Sequence, residues 1–212
     1  MTTSVPRLSA LSRLRELPEV FTTKILAGSL GGNAAAASIY TQRWRKEGLI
    51  SAAGKKAGVF YNLLVNPQGE TECAIKALKI LFPSAIIGGA TALHDAGWTT
   101  QIPSAAEVLV IRRPTYPQLD AFSLYGRSQR WHQQLLQHLD GTDGWRLAPA
   151  AALADAWAHD GMWKPDPDDL EADDINWHAV AMTFNELGVP WPSEYGEFLC
   201  GDLLYARPRA RP

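Results

Sequence analysis

Between Leu8 and Leu64 the chain alternates short helical stretches with hard stops, which confines it to small, tightly turned elements. Leu8, Leu11 and Leu14 recur at three-residue spacing, with Arg7, Arg13 and Arg15 among them, and predict an amphipathic helix over 8–16. Pro18 ends it, because the residue before a proline is pushed out of the helical region. Thr22 is placed to cap a second short helix that turns Ile25 and Leu26 inward. Gly28, Gly31 and Gly32 make the next break. Asn33 then caps a third helix, which starts on the strong helix former Ala at 34–37 and runs to Glu47, with Gly48 suited to its C-cap. Two strand-like runs follow, 49–52 and 59–64. The turn 53–58 joins them, flanked by glycines and carrying Lys55 and Lys56 at its tip.

Three helices and a basic hairpin, in that order, describe a winged helix-turn-helix. The third helix supports this reading. At 100° per residue, Ala36, Ala37, Tyr40 and Trp44 gather on one side as a packing face. Ser38, Thr41, Gln42 and Arg45 gather on the other, with Ala34 and Ala35 at the N-terminal end. That second face holds no acid and mixes a cation with hydroxyl and amide groups, the chemistry that reads base edges and phosphates in a major groove. The expected DNA-binding residues are therefore Asn33, Ser38, Thr41, Gln42 and Arg45, flanked by Arg43 and Lys46. Lys55 and Lys56 are expected to act as wing contacts to phosphate.

Net charge looks uninformative at −2 until the chain is divided after Asn66. Residues 1–66 hold nine basic and three acidic side chains, a balance of +6. Residues 67–212 hold eleven basic and nineteen acidic, a balance of −8. Such asymmetry predicts a basic module for a polyanion joined to an acidic module with another role. The expected domains are thus 1–66, the winged helix-turn-helix, and 67–212, an acidic α+β domain. Seven of the eight tryptophans fall in the second.

In that second part, 70–81 reads as a helix stopped by Pro83, and 85–87 as a short strand. Gly88-Gly89 leads into a helix over 90–96, closed by Gly97. Residues 107–111 form the clearest buried strand and 122–125 its expected partner; 127–139, 148–159, 173–187 and 194–206 read as helices. The fold class is α+β, with its C-terminal part mainly helical. Trp163 and Trp191 lie in proline-rich loops and are the expected exposed anchors for a protein partner.

Several of these segments resemble the AbiEi family, antitoxins of type IV (abortive-infection) toxin–antitoxin systems and related transcriptional regulators. The resemblance rests on Leu17-Pro18-Glu19-Val20-Phe21-Thr22, on Arg43-Trp44-Arg45-Lys46-Glu47-Gly48-Leu49-Ile50, and on Gly58-Val59-Phe60-Tyr61. It continues through 83–98, where a strand meets Gly88-Gly89, then Ala92-Leu93 and a closing Gly97. It spans roughly residues 8–125; the Trp-rich end of the chain lies outside it. The resemblance implies a bipartite protein. Its winged helix would bind inverted repeats in double-stranded operator DNA and repress its own operon. Its second domain would counter a cognate toxin that resembles nucleotidyltransferases.

Catalytic signatures are missing. His94, His132, His138, His159 and His178 stand in no metalloprotease pattern, and no nucleophile elbow, phosphate-binding loop or dinucleotide fingerprint occurs. Asp166, Asp168, Asp169, Glu171, Asp173 and Asp174 crowd into nine positions, but Pro165 and Pro167 mark a linker and the spacing fits no EF-hand. The later acids read as the start of a helix, where the macrodipole favours them. The expectation is a protein that is not an enzyme and needs no cofactor or metal.

Two rivals remain open. One is a DNA-directed nuclease with a winged-helix targeting module, although the strand-borne acid Glu107 is followed by Val-Leu and lacks the expected lysine. The other is a pure protein-interaction module. Cys73 and Cys200 form no C-x-x-C pair, the N-terminal MTTSVPRLSALSR lacks the apolar segment of a secretory signal, and no apolar run approaches the ~18 residues that span a bilayer. The cytoplasm is the expected location, with no membrane partner.

Overall fold

The computed structural model describes residues 9–141, 144–171 and 175–198. The fold is mixed α+β, with two small sheets. It divides into two compact units. The first holds the described residues up to Pro83 together with Thr115–Ala121, and the second holds Ser84–Pro114 and the described residues from Phe122 onward. The boundary therefore falls seventeen residues beyond the position expected from charge, and a later segment returns to the first unit. Over the described residues the first unit carries ten basic and six acidic side chains, +4, and the second six and twelve, −6, so the asymmetry persists.

In the first unit, α1 (Ala10–Glu16) is capped by the Ser9 hydroxyl and leads to β1 (Val20–Thr22). The Thr22 hydroxyl accepts from the Ile25 amide and starts α2 (Thr23–Ser29). Gly31 and Gly32, with φ of +68° and +86°, turn the chain into α3 (Ala34–Lys46), whose first turn is capped by the Asn33 carbonyl oxygen. β2 (Ile50–Ala52) and β3 (Val59–Asn62) complete an antiparallel sheet of order β1-β3-β2. β1 had no strand signal of its own. Three residues are too few to show alternation, and it exists because Val20, Phe21 and Thr22 pair with Tyr61, Phe60 and Val59.

Leu14, Leu17, Phe21, Leu26, Ala37, Trp44, Ile50 and Phe60 form the core of this unit. Leu26 points inward as expected, but Ile25 is exposed. Asn62 is buried and donates to the carbonyls of Leu14 and Leu17, at 2.8 and 3.1 Å, so β3 holds the end of α1. The helix expected over 70–81 is broken at Cys73 into α4 (Gly69–Glu72) and α5 (Ala74–Leu81). Both belong to the first unit, which explains the displaced boundary. Asn66 donates to Glu19 and Glu72, and Lys76 pairs with Glu19.

The second unit is built on a sheet of order β4-β5-β6. β4 (Ile86–Ile87) runs antiparallel to β5 (Ala106–Ile111), and β6 (Phe122–Arg127) runs parallel to β5. Parallel neighbours need a crossover, and this one contains Thr115–Ala121 of the first unit. α6 (Gly89–Asp95), α7 (Gln129–Leu135), α8 (Pro149–Ala158) and α9 (Trp177–Leu187) surround the sheet's core. The helix expected over 127–139 ends in a single 3₁₀ turn, Leu136–His138. α9 starts at Trp177 under an Asn176 cap, and Ser193–Phe198 is a 3₁₀ helix. The remainder of the helix expected over 194–206, the basic residues Arg207, Arg209 and Arg211, and Cys200 lie outside the described residues, as do Arg7, Leu8, Asp173 and Asp174.

Trp191 is not an exposed anchor. It packs against Trp177, Phe184 and Tyr195, and its indole N–H donates to the Tyr195 carbonyl at 3.2 Å. Trp163 is half-buried and packs on the same core. Flanking prolines marked both as loop residues, but a proline-rich loop still buries its aromatic rings when a core lies beneath it.

Candidate nucleic-acid interface

α3 buries one stripe and exposes the rest. Trp44 and Ala37 are completely buried, and Tyr40 is half-buried against Trp44, with ring centroids 5.1 Å apart. The Asn33 cap, Oδ1 to the Ala36 amide at 2.9 Å, fixes the helix start. The exposed face carries Ala34, Ala35, Ser38, Ile39, Gln42, Arg43, Arg45 and Lys46.

Thr41 does not belong to that face. It is 6% exposed, and its hydroxyl donates to the Ser38 carbonyl at 3.0 Å. Its position explains this: Thr41 follows Ala37 by four residues and precedes Trp44 by three, so it shares their stripe. The spacing was visible in the sequence, and the polar side chain obscured it. In exchange the face gains Ile39, 67% exposed between Ser38 and Gln42. An apolar side chain on such a face is suited to the methyl group of thymine.

The cations differ in availability. Arg43 donates from Nε to Glu47 at 2.8 Å, and this hydrogen bond raises the Arg43 pKa further. Its charge is therefore shared with Glu47. Arg45 and Lys46 have no acidic partner among the described residues. The same holds for Lys24, which is exposed on α2 and stands in no motif that marks it.

The β2–β3 hairpin presents Lys55 and Lys56, both exposed, with Lys56 itself at φ +59°. Two attachments hold the hairpin. Thr23 donates its amide to the Gly58 carbonyl at 3.0 Å. From the returning segment, Gln118 and Asp120 donate backbone amides to the carbonyls of Lys55 and Ala53, at 3.3 and 3.2 Å. No local pattern could have indicated this second contact, because its partners are more than sixty residues apart.

Two acids of the run in the second unit have a local role. Asp166 and Asp169 form a reciprocal cap on the 3₁₀ turn Pro167–Asp169, with the Asp166 amide donating to Asp169 at 2.9 Å. Among the described residues no three His, Cys, Asp or Glu side chains converge as metal ligands. His94 and Asp95 lie 3.7 Å apart, with Asp95 also paired to Arg146 at 3.2 Å. No helix of the described residues is long and apolar enough to cross a membrane.

No family model matches the chain, and no curated protein matches it.

Proposed function

We propose that this chain is a sequence-specific DNA-binding transcriptional regulator of the AbiEi antitoxin type. The observation that carries the reading is the exposed face of α3. Gln42, Ser38 and Ile39 stand beside the unpaired Arg45 and Lys46, on the unit that holds the positive charge. The element order α1-β1-α2-α3-β2-β3, with sheet order β1-β3-β2, is that of a winged helix and supports the assignment of α3 as the recognition helix. Lys55 and Lys56 contact phosphate from the wing. The protein works by binding rather than catalysis, in the cytoplasm, on inverted repeats at its own operon. Its acidic second unit serves the antitoxin role against a nucleotidyltransferase-like toxin.

The test is fluorescence anisotropy with duplex DNA from upstream of the gene and with a shuffled duplex of equal length. The wild type is expected to prefer the upstream DNA. Arg45→Ala with Gln42→Ala removes that preference while circular dichroism stays unchanged. Lys55→Gln with Lys56→Gln weakens both duplexes alike and lowers the salt slope by about two, at ~0.9 per phosphate contact. Equal affinity of the wild type for both duplexes, or an R45A/Q42A variant that keeps its preference, overturns the reading.

A further inference from the structure

The second unit contains a cleft of about 270 Å³, lined in part by Ala90, Glu107, Ser123, Tyr125 and Trp163. This is slightly below the range of drug-sized sites and fits a side-chain-sized ligand. Glu107 forms its wall and is 7% exposed. One of its carboxylate oxygens accepts from the Ala90 amide at 2.6 Å, and the other accepts from the Tyr125 hydroxyl at 3.1 Å. Both donors are neutral. Among the described residues no Lys, Arg or His nitrogen pairs with Glu107. Arg127 lies over the Tyr125 ring, 5.9 Å from its centroid, but both its hydrogen bonds to carboxylate go to Asp155.

A buried carboxylate without a cation is costly. Here the cost is sustained by a closely fitted wall. A Cβ on Gly89 would stand 2.0 Å from Glu107 Oε2, so only glycine, at φ +52°, lets the turn approach that closely. Each Glu107 oxygen has accepting capacity left, and the cleft is also lined by two aromatic residues, whose rings attract cations.

We infer that this cleft binds a compact organic cation, a guanidinium or alkylammonium group, with Glu107 as its counter-charge and Trp163 and Tyr125 as its aromatic wall. The group comes either from an arginine or lysine side chain of a partner protein or from a free small molecule. This inference is independent of DNA binding by the first unit.

The test is a titration of the full chain with butylguanidinium, butylammonium and the neutral N-butylurea, read on the Ala90 amide and Trp163 indole signals by NMR. Both cations are expected to shift these signals saturably, and the urea is not. Glu107→Gln weakens the cations at least tenfold, whereas Glu186→Gln, a charge change on the exposed side of α9, leaves their affinity unchanged. Ser123→Leu, which fills the cleft from the edge strand and leaves Glu107 in place, abolishes binding; it decides the matter should the Glu107 variant fail to fold. A capped Gly-Arg-Gly peptide that binds at least as tightly as butylguanidinium supports a protein side chain as the source. Binding of the free cation alone supports a small molecule. Equal shifts with the urea, unchanged affinity in a folded Glu107→Gln, or unchanged affinity in Ser123→Leu overturns the proposal.

Discussion

A β-carbon placed on Gly54 would stand 1.9 Å from the carbonyl oxygen of Gln118. The β2–β3 hairpin and the returning segment thus meet backbone to backbone, and no side chain fits between them. Gly54→Ala is expected to destabilise the first unit by ~1–3 kcal/mol, the range for an overpacked site. Gly28→Ala, in the same unit but with nothing within 4 Å of its new methyl, should stabilise by ~0.4–1 kcal/mol. Urea unfolding of both variants checks this. Equal effects would mean that the close approach at Gly54 carries no weight.

Ile39 gives the DNA-binding reading a sharper test than any cation does, because charge attracts every sequence alike. If Ile39 meets a thymine methyl, Ile39→Ala costs about 1 kcal/mol, roughly fivefold, at sites with that thymine and nothing elsewhere. Selection from random duplexes should enrich a thymine with the wild type and lose only that position with the variant. Identical selected sequences would remove Ile39 from the interface.

Arg127 and Asp155 form a buried bidentate pair, at 2.8 and 2.7 Å, with the Trp131 indole also donating to Asp155 at 2.7 Å. Burial pushes the Asp155 carboxyl up, but hydrogen bonds from His159, Arg127 and Trp131 outweigh it and hold the group below its ordinary value. Asp155→Asn leaves the Arg127 guanidinium buried without its counter-charge. The expected loss is ~3–5 kcal/mol in denaturant unfolding. A loss under 1 kcal/mol would show that water or a rearranged partner compensates Arg127.

What the sequence made legible was what local chemistry decides. The Thr22 and Asn33 caps, the Gly48 stop and the strand 107–111 follow from neighbours within one turn or one alternation. Thr41 runs against its residue type: its hydroxyl suggests the polar face, but the spacing that ties it to Ala37 and Trp44 buries it. β1, the returning segment 115–121 and the burial of Trp191 depend on partners far along the chain, which no local window contains. Glu107 was noted as a strand-borne acid, but its meaning changed once its neighbours proved to be a glycine turn and a tyrosine.

His132 is expected to make the stability of the second unit depend on pH. It is buried on α7, its Nε2 has no hydrogen-bond partner, and burial pushes its pKa down, against the opposing effects of a hydrogen bond to the Ser84 backbone and the charge of Asp155. The unfolded chain, with an ordinary value near 6.5, therefore binds a proton more readily than the folded one. The part of the stability that rests on a neutral His132 is fully present above about pH 6.5 and falls as the pH drops below it, by at most ~1.4 kcal/mol per pH unit for one proton. Asp155 adds its own loss only further into acid, because its lowered pKa keeps it ionised well below that window. His132→Gln retains a donor but cannot titrate. The difference in unfolding free energy between wild type and His132→Gln, measured at pH 7.5, 6.5 and 5.5, should therefore move against the wild type as the pH falls. A difference that stays constant across those three values would assign the acid sensitivity to other groups.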